Sequence, residues 1–105
     1  MDNAAEERVA RNEDAFRKVN EAIEAGRRTR EGLLGFVCEC GHLGCNEIIE
    51  LSVSEYEAVR GDARQFAVRP GHETEAERVV ATYERYVVVA KHGRAGDIAE
   101  FADPR

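Results

Sequence analysis

Phe36-Val37-Cys38-Glu39-Cys40-Gly41-His42-Leu43-Gly44-Cys45 gathers every cysteine of the chain into one glycine-punctuated stretch. Cys38 and Cys40 stand two apart, so on an extended strand both sulfurs leave the same face. Gly41 and Gly44 let the backbone double back until Cys45 meets them. Three converging thiolates point to a metal ion. Zinc takes four nitrogen or sulfur ligands in a tetrahedron, so a fourth must come from elsewhere, and the candidates are His42, His72 and His92. Pro70-Gly71-His72 is a rigid turn able to hold an imidazole over the knuckle from a distant segment, which favours His72. His42 is cramped in a loop already carrying Cys40 and Cys45, and His92 ends an apolar run without a turn of its own. A carboxylate or water is the remaining alternative. The expected set is Cys38, Cys40, Cys45 and His72 around a structural Zn2+; the competing reading is three small buried cysteines with no metal.

Outward from the knuckle, residues 33–40 and 47–51 read as antiparallel strands with the cysteine loop as the tip of their hairpin. Ser52-Val53-Ser54-Glu55 is a capping box opening a short helix over 53–60, with Tyr56 and Val59 facing inward and Gly61 closing it. Residues 65–69 read as a strand that Pro70 stops. Residues 78–82 and 85–91 form a second hairpin around Tyr83-Glu84. Ala76, Val79, Val80 and Tyr83 also fit a helical face, but Val87-Val88-Val89 favours extended backbone. Before the first strand, residues 3–28 read as one amphipathic helix with Val9, Phe16, Val19 and Ile23 on a single stripe, continued by Ala5 and Asn12. That stripe is expected to pack on the sheet, with its uncovered part offered to a second copy or a partner protein. Gly26 and the Arg27-Arg28-Thr29-Arg30 run mark the helix end. Beyond Gly93 the pattern weakens; Asp97 could cap a turn burying Ile98 and Phe101, or the segment is a loosely docked acidic tail. The expectation is an α+β fold, an N-terminal helix on a small antiparallel sheet, with residues 1–92 as the domain and 93–105 as a weakly structured tail.

The chain has 105 residues, 43% hydrophobic and 34% charged with both signs interspersed. That is enough for one folded domain with a small core, in the size range where a metal commonly supplements burial. The formal net charge of −6 disfavours nucleic acid as a partner, because affinity for phosphates rests on Lys and Arg. No apolar run approaches the roughly 20 residues that span a bilayer, and Met1-Asp2-Asn3-Ala4-Ala5-Glu6-Glu7 lacks the basic and apolar regions of a signal peptide. Three cysteines argue against a disulfide framework. These features point to a cytoplasmic protein without a membrane partner.

Phe36-x-Cys38-Glu39-Cys40, Cys45, Glu50-Leu51, Glu55-Tyr56, Val59-Arg60, Phe66-x-Val68, Pro70-Gly71-His72 and the Arg78-Val79-Val80 and Tyr86-Val87-Val88 segments together resemble a family of small actinobacterial proteins. The resemblance covers residues 8–91 and implies a zinc-knuckle-like α+β domain, but it supplies no activity. A zinc enzyme needs an open coordination position and a nearby acid or base, for which Glu39 or Glu47 could be advanced. On a strand Glu39 should point away from the cysteine face, and glutamates in so charged a chain are usually solvated. No phosphate loop, nucleophile constellation or small-molecule site stands out. The expected role is a zinc-stabilised protein-interaction or regulatory module without catalysis. The alternatives are a nucleic-acid-associated transcriptional regulator, which an exposed Tyr83 or Tyr86 beside Arg78 and Arg85 would favour, and a thiol-based redox sensor.

Overall fold

The computed structural model describes residues 3–26, 31–42, 44–74 and 77–105, and for residues 3–7 the backbone alone. In chain order it comprises α1 (Asn3–Ala25), β1 (Leu33–Val37), β2 (Ile48–Ser52), α2 (Val53–Val59), β3 (Gln65–Val68), β4 (Arg78–Thr82), β5 (Val87–Ala90) and α3 (Gly93–Ala102). This is an α+β fold with two antiparallel sheets where one was expected: β1 pairs with β2, and β5 lies between β3 and β4. The β1–β2 register runs from Leu33 opposite Ser52 to Val37 opposite Ile48, and the Cys38 amide extends it to the Glu47 carbonyl at 2.9 Å. The cysteine loop is therefore the tip of this hairpin.

Local chemistry accounts for most of the elements. The Ser52 hydroxyl accepts from the Glu55 amide at 3.1 Å while the Glu55 carboxylate accepts from the Ser52 amide at 2.8 Å, the reciprocal capping box that starts α2. The valine run of β5 is buried throughout because the strand is central and covered on both faces. Val88 joins Phe36, Leu51, Tyr56 and Val59 on one side, where the Phe36 and Tyr56 rings stack with centroids 4.5 Å apart. Val87 and Val89 join Phe66, Val68 and the cysteines on the other. Glu39 ties the two sheets together: its amide donates to the Ala67 carbonyl and its carboxylate accepts from the Ala67 amide, both at 2.9 Å.

The N-terminal helix departs from expectation in which face it buries. Glu13, Asp14, Arg17 and Asn20 are buried with Ala10, whereas Val9, Phe16 and Ile23 are half-covered and Val19 is 47% exposed. The reason is what the helix meets. The outer edge of β1 presents backbone donors and acceptors that an apolar stripe would leave unsatisfied. Asn20 takes the place of a neighbouring strand there, donating to the Val37 carbonyl and accepting from the Val37 amide, each at 2.8 Å. Arg17 donates to the carbonyls of Ala63 at 2.5 Å and Ala99 at 2.7 Å, pairs with Asp14 at 3.1 Å, and lies 4.6 Å over the Phe66 ring. Gly26 closes the last turn of α1 on Ala22; the expected extension through Arg27 and Arg28 lies outside the described residues.

The C-terminal segment corrects the expectation of a weakly structured tail. α3 packs on α1 with Ala99 buried. It is fastened by charge: Arg60 pairs with Asp103 and with Glu21 at 2.5 Å, and Arg64 pairs with Asp97 at 2.9 Å and Glu100 at 2.6 Å. Ile98 is half-buried, but Phe101, expected inside, is 95% exposed, and Asp97 does not cap the helix, whose N-cap position is His92.

Candidate metal centre

Two turns and one strand end build the site. Cys38 and Cys40 continue β1 and are both buried. The chain then turns at Gly41, whose φ is 78°, and at Gly44, whose φ is 87°, with the Cys45 amide bonded to the His42 carbonyl at 3.1 Å. Gly41 is also a close approach. A Cβ there would lie 2.4 Å from Glu13 Cγ and 2.7 Å from the Val9 carbonyl oxygen, so only glycine lets the loop rest on α1. From the far side, Arg69-Pro70-Gly71-His72 makes a β-turn closed by the His72 amide on the Arg69 carbonyl at 2.9 Å, with Gly71 at φ 93°. Proline then glycine at the centre is the type II pattern.

Cys38, Cys40, Cys45 and His72 meet where these segments converge, their ligand atoms all within 4.8 Å of one another, and could hold a metal ion. His72 Nδ1 lies 3.6 Å from the sulfur of Cys38 and 3.6 Å from that of Cys45. A tetrahedral ion about 2.3 Å from sulfur and about 2.0–2.1 Å from nitrogen sets sulfur and nitrogen about 3.5–3.6 Å apart. The spacing therefore fits. The cysteines form no disulfide.

The surroundings also suit thiolates. Burial pushes the Cys38 and Cys40 thiols up, and the Cys45 sulfur pushes both the same way. Left alone, such thiols stay neutral; a cation among them reverses that balance. Backbone amides already point at the sulfurs: Arg69 donates to Cys38 Sγ at 3.1 Å, and the amides of Cys40 and His42 donate to Cys38 and Cys40 respectively. These donors favour the charged form.

The other candidates go elsewhere. His42 is exposed and outside the ligand group, contributing only backbone contacts, and His92 is exposed at the start of α3. Glu47 pairs with Arg69 at 2.7 Å on the surface. Glu39 does point away from the cysteine face, but it is fully buried, not solvated, accepting from Asn20 at 2.8 Å and the Tyr56 hydroxyl at 2.9 Å. Burial raises its pKa while those donors and the Ala67 amide lower it. Beside the knuckle, Lys91 lies 2.5 Å from a carboxylate oxygen of both Glu13 and Glu77, although neither Glu13 oxygen has an aligned hydrogen bond. Sequence reasoning missed this polar layer. Its signal was the spacing of Glu13, Arg17 and Asn20 along one helix stripe, opposite a strand with polar Glu39 between two cysteines.

Tyr83 is exposed, and Arg85 lies 5.7 Å over the ring of Tyr86. The same guanidinium is bound to Glu55 at 2.6 Å and to the Glu50 carbonyl at 2.6 Å. No helix among the described residues is long and apolar enough to cross a membrane. No family model, curated protein or solved structure matches the chain.

Proposed function

We propose that the protein is a cytoplasmic zinc-stabilised interaction or regulatory module in which the ion is structural and no reaction is catalysed. The observation that carries this reading is the convergence of Cys38, Cys40, Cys45 and His72 from the β1–β2 tip and the turn after β3. Three sulfurs and one imidazole complete a tetrahedron with protein donors alone, leaving no position for substrate or water, which is the arrangement of structural zinc. The likeness of residues 8–91 to a small actinobacterial family supports the same reading. The apolar residues of α1 that the sheets do not cover, Val19 foremost, give a partner protein a surface to meet.

The test is elemental analysis of protein purified under reducing, chelator-free conditions. About one zinc per chain is expected, and Cys38→Ser should lower both metal content and melting temperature, because binding energy at such a site is also folding energy. Protein that carries no metal and melts at the same temperature with or without added zinc would overturn the reading.

A further inference from the structure

The three candidate thiols do not face solvent alike. Cys38 and Cys40 are each 2% exposed, whereas Cys45 is partly exposed and stands between exposed Gly44 and exposed Asn46. A water-borne oxidant approaching the cluster therefore meets the sulfur of Cys45 first. Cysteine oxidation follows thiolate character and access, and an ion held at the site keeps its sulfurs deprotonated. Charge is then common to the three, so access ranks them.

The neighbours of Cys45 decide what oxidation does next. Its sulfur lies within 4.8 Å of that of Cys40, near enough for the two thiols to interact, and both residues belong to the loop that turns at Gly41 and Gly44. The two sides of that loop differ in freedom. Gly41 is pressed against Glu13 and Val9 of α1, which fixes Cys40, while a Cβ at Gly44 would meet nothing within 4 Å, so the Cys45 side has room to move. Cys38 is a poorer partner for either. Its amide is bonded to the Glu47 carbonyl and its sulfur accepts from the Arg69 amide, which hold it in line with the hairpin. It also stands two residues from Cys40 along extended chain, where Cα atoms lie roughly 6.6–6.8 Å apart, the outer limit for a disulfide.

We propose that the site is a thiol switch in which hydrogen peroxide joins Cys45 to Cys40 and the ion is released. This regulation rests on the reading of the ion as structural zinc. In the first step the Cys45 thiolate attacks one peroxide oxygen, the O–O bond breaks, and the sulfur becomes a sulfenic acid as hydroxide leaves. In the second the Cys40 thiolate attacks the Cys45 sulfur, the S–O bond breaks, and a second hydroxide leaves. Two thiolates thus give two electrons to one peroxide, and two protons from solvent turn both hydroxides into water. A thiolate is a zinc ligand and a disulfide is not, so only Cys38 and His72 remain, half of the tetrahedral set. The ion then leaves, and the β1–β2 tip parts from the turn after β3.

The experiment treats the zinc-loaded full chain with hydrogen peroxide while a chromophoric chelator reports released metal. About one zinc per chain should appear in step with the loss of two free thiols, and peptide mapping after differential alkylation should find Cys40 joined to Cys45 with Cys38 still a thiol. Dithiothreitol and added zinc should restore both the thiols and the metal. Cys45→His keeps a nitrogen donor for the tetrahedron but removes the accessible sulfur, so its zinc-loaded form should release metal about tenfold more slowly. The disulfide map needs no variant, so it decides the matter even if Cys45→His fails to load. A natural chain that binds no zinc at the outset defeats the structural reading and the switch together. One that starts with zinc and keeps it through a peroxide excess, loses it with Cys38 in the disulfide, or ends with sulfinic acid at Cys45 in place of a bridge defeats the switch alone. So does a zinc-loaded Cys45→His protein that releases metal as fast as the natural chain.

Discussion

His72 reaches the cysteines because Pro70 and Gly71 leave its turn almost no freedom, and the same turn aims the Arg69 amide at Cys38. One four-residue turn thus supplies both a candidate ligand and a donor to the sulfur of a second candidate. His72→Ala should cut zinc retention at least tenfold in competition with a chromophoric chelator, while His42→Ala and His92→Ala leave it unchanged. An equal loss with His42→Ala would transfer the role. Gly41→Ala should cost about 2–4 kcal/mol by chemical denaturation, since it adds a Cβ at positive φ against Glu13 and Val9. These residues were legible in the sequence because donors, glycines and prolines declare their geometry locally. Glu39 was legible in direction but not in burial. Alternation along a strand says which face a side chain takes, whereas what covers that face is decided by distant segments, here α1 and β3.

Among elements, α2 and the β4–β5 hairpin are written locally, in the capping box and the valine run. Ser52→Ala should therefore lower stability by about 1 kcal/mol. The extent of α1 could be read from its periodicity, but its buried face could not, because the hydrophobic stripe competes with a row of polar side chains that the open edge of β1 requires. Asn20 is the sharpest case. Asn20→Ala removes both bonds to Val37 and one to Glu39, stranding buried partners, and should cost about 3 kcal/mol, against less than about 0.5 kcal/mol for Val19→Ala. Equal costs in denaturant titrations would mean that the apolar stripe, and not the polar one, docks the helix. α3 escaped notice for a related reason. It is held by Arg60 and Arg64 gripping acids, a pattern that leaves no periodic apolar signature.

At the scale of the molecule, the division into two sheets joined at Glu39 was not visible, since no local signal distinguishes a bridge from a continued strand. The polar layer between α1 and the knuckle has a consequence for pH. Burial pushes the Glu13 carboxyl from its ordinary 4.5 up to about 8, against the pull of Lys91. Between those values the folded chain holds a proton that the unfolded chain has released, so this group's contribution to stability falls as pH rises from about 4.5 to about 8. Glu13→Gln should remove that slope, and its stability relative to the natural chain should increase steadily from pH 5 to pH 8 at fixed zinc. A constant difference across that range would show that Glu13 is ionised throughout. The reach from Cys38 to His72 has a different consequence. The two residues are 34 positions apart, and the chain between them carries β2, α2 and β3. An ion joining them cross-links the polypeptide much as a disulfide does, and the chain-entropy estimate for a loop of that size is about 4 kcal/mol, acquired by restricting the denatured ensemble and not by any contact in the folded one. The three cysteines alone would close only a short loop. With an ion held there, it is the histidine that would turn a local knuckle into a long-range tether, and β2, α2 and β3 would gain stability from an ion that none of them needs to touch.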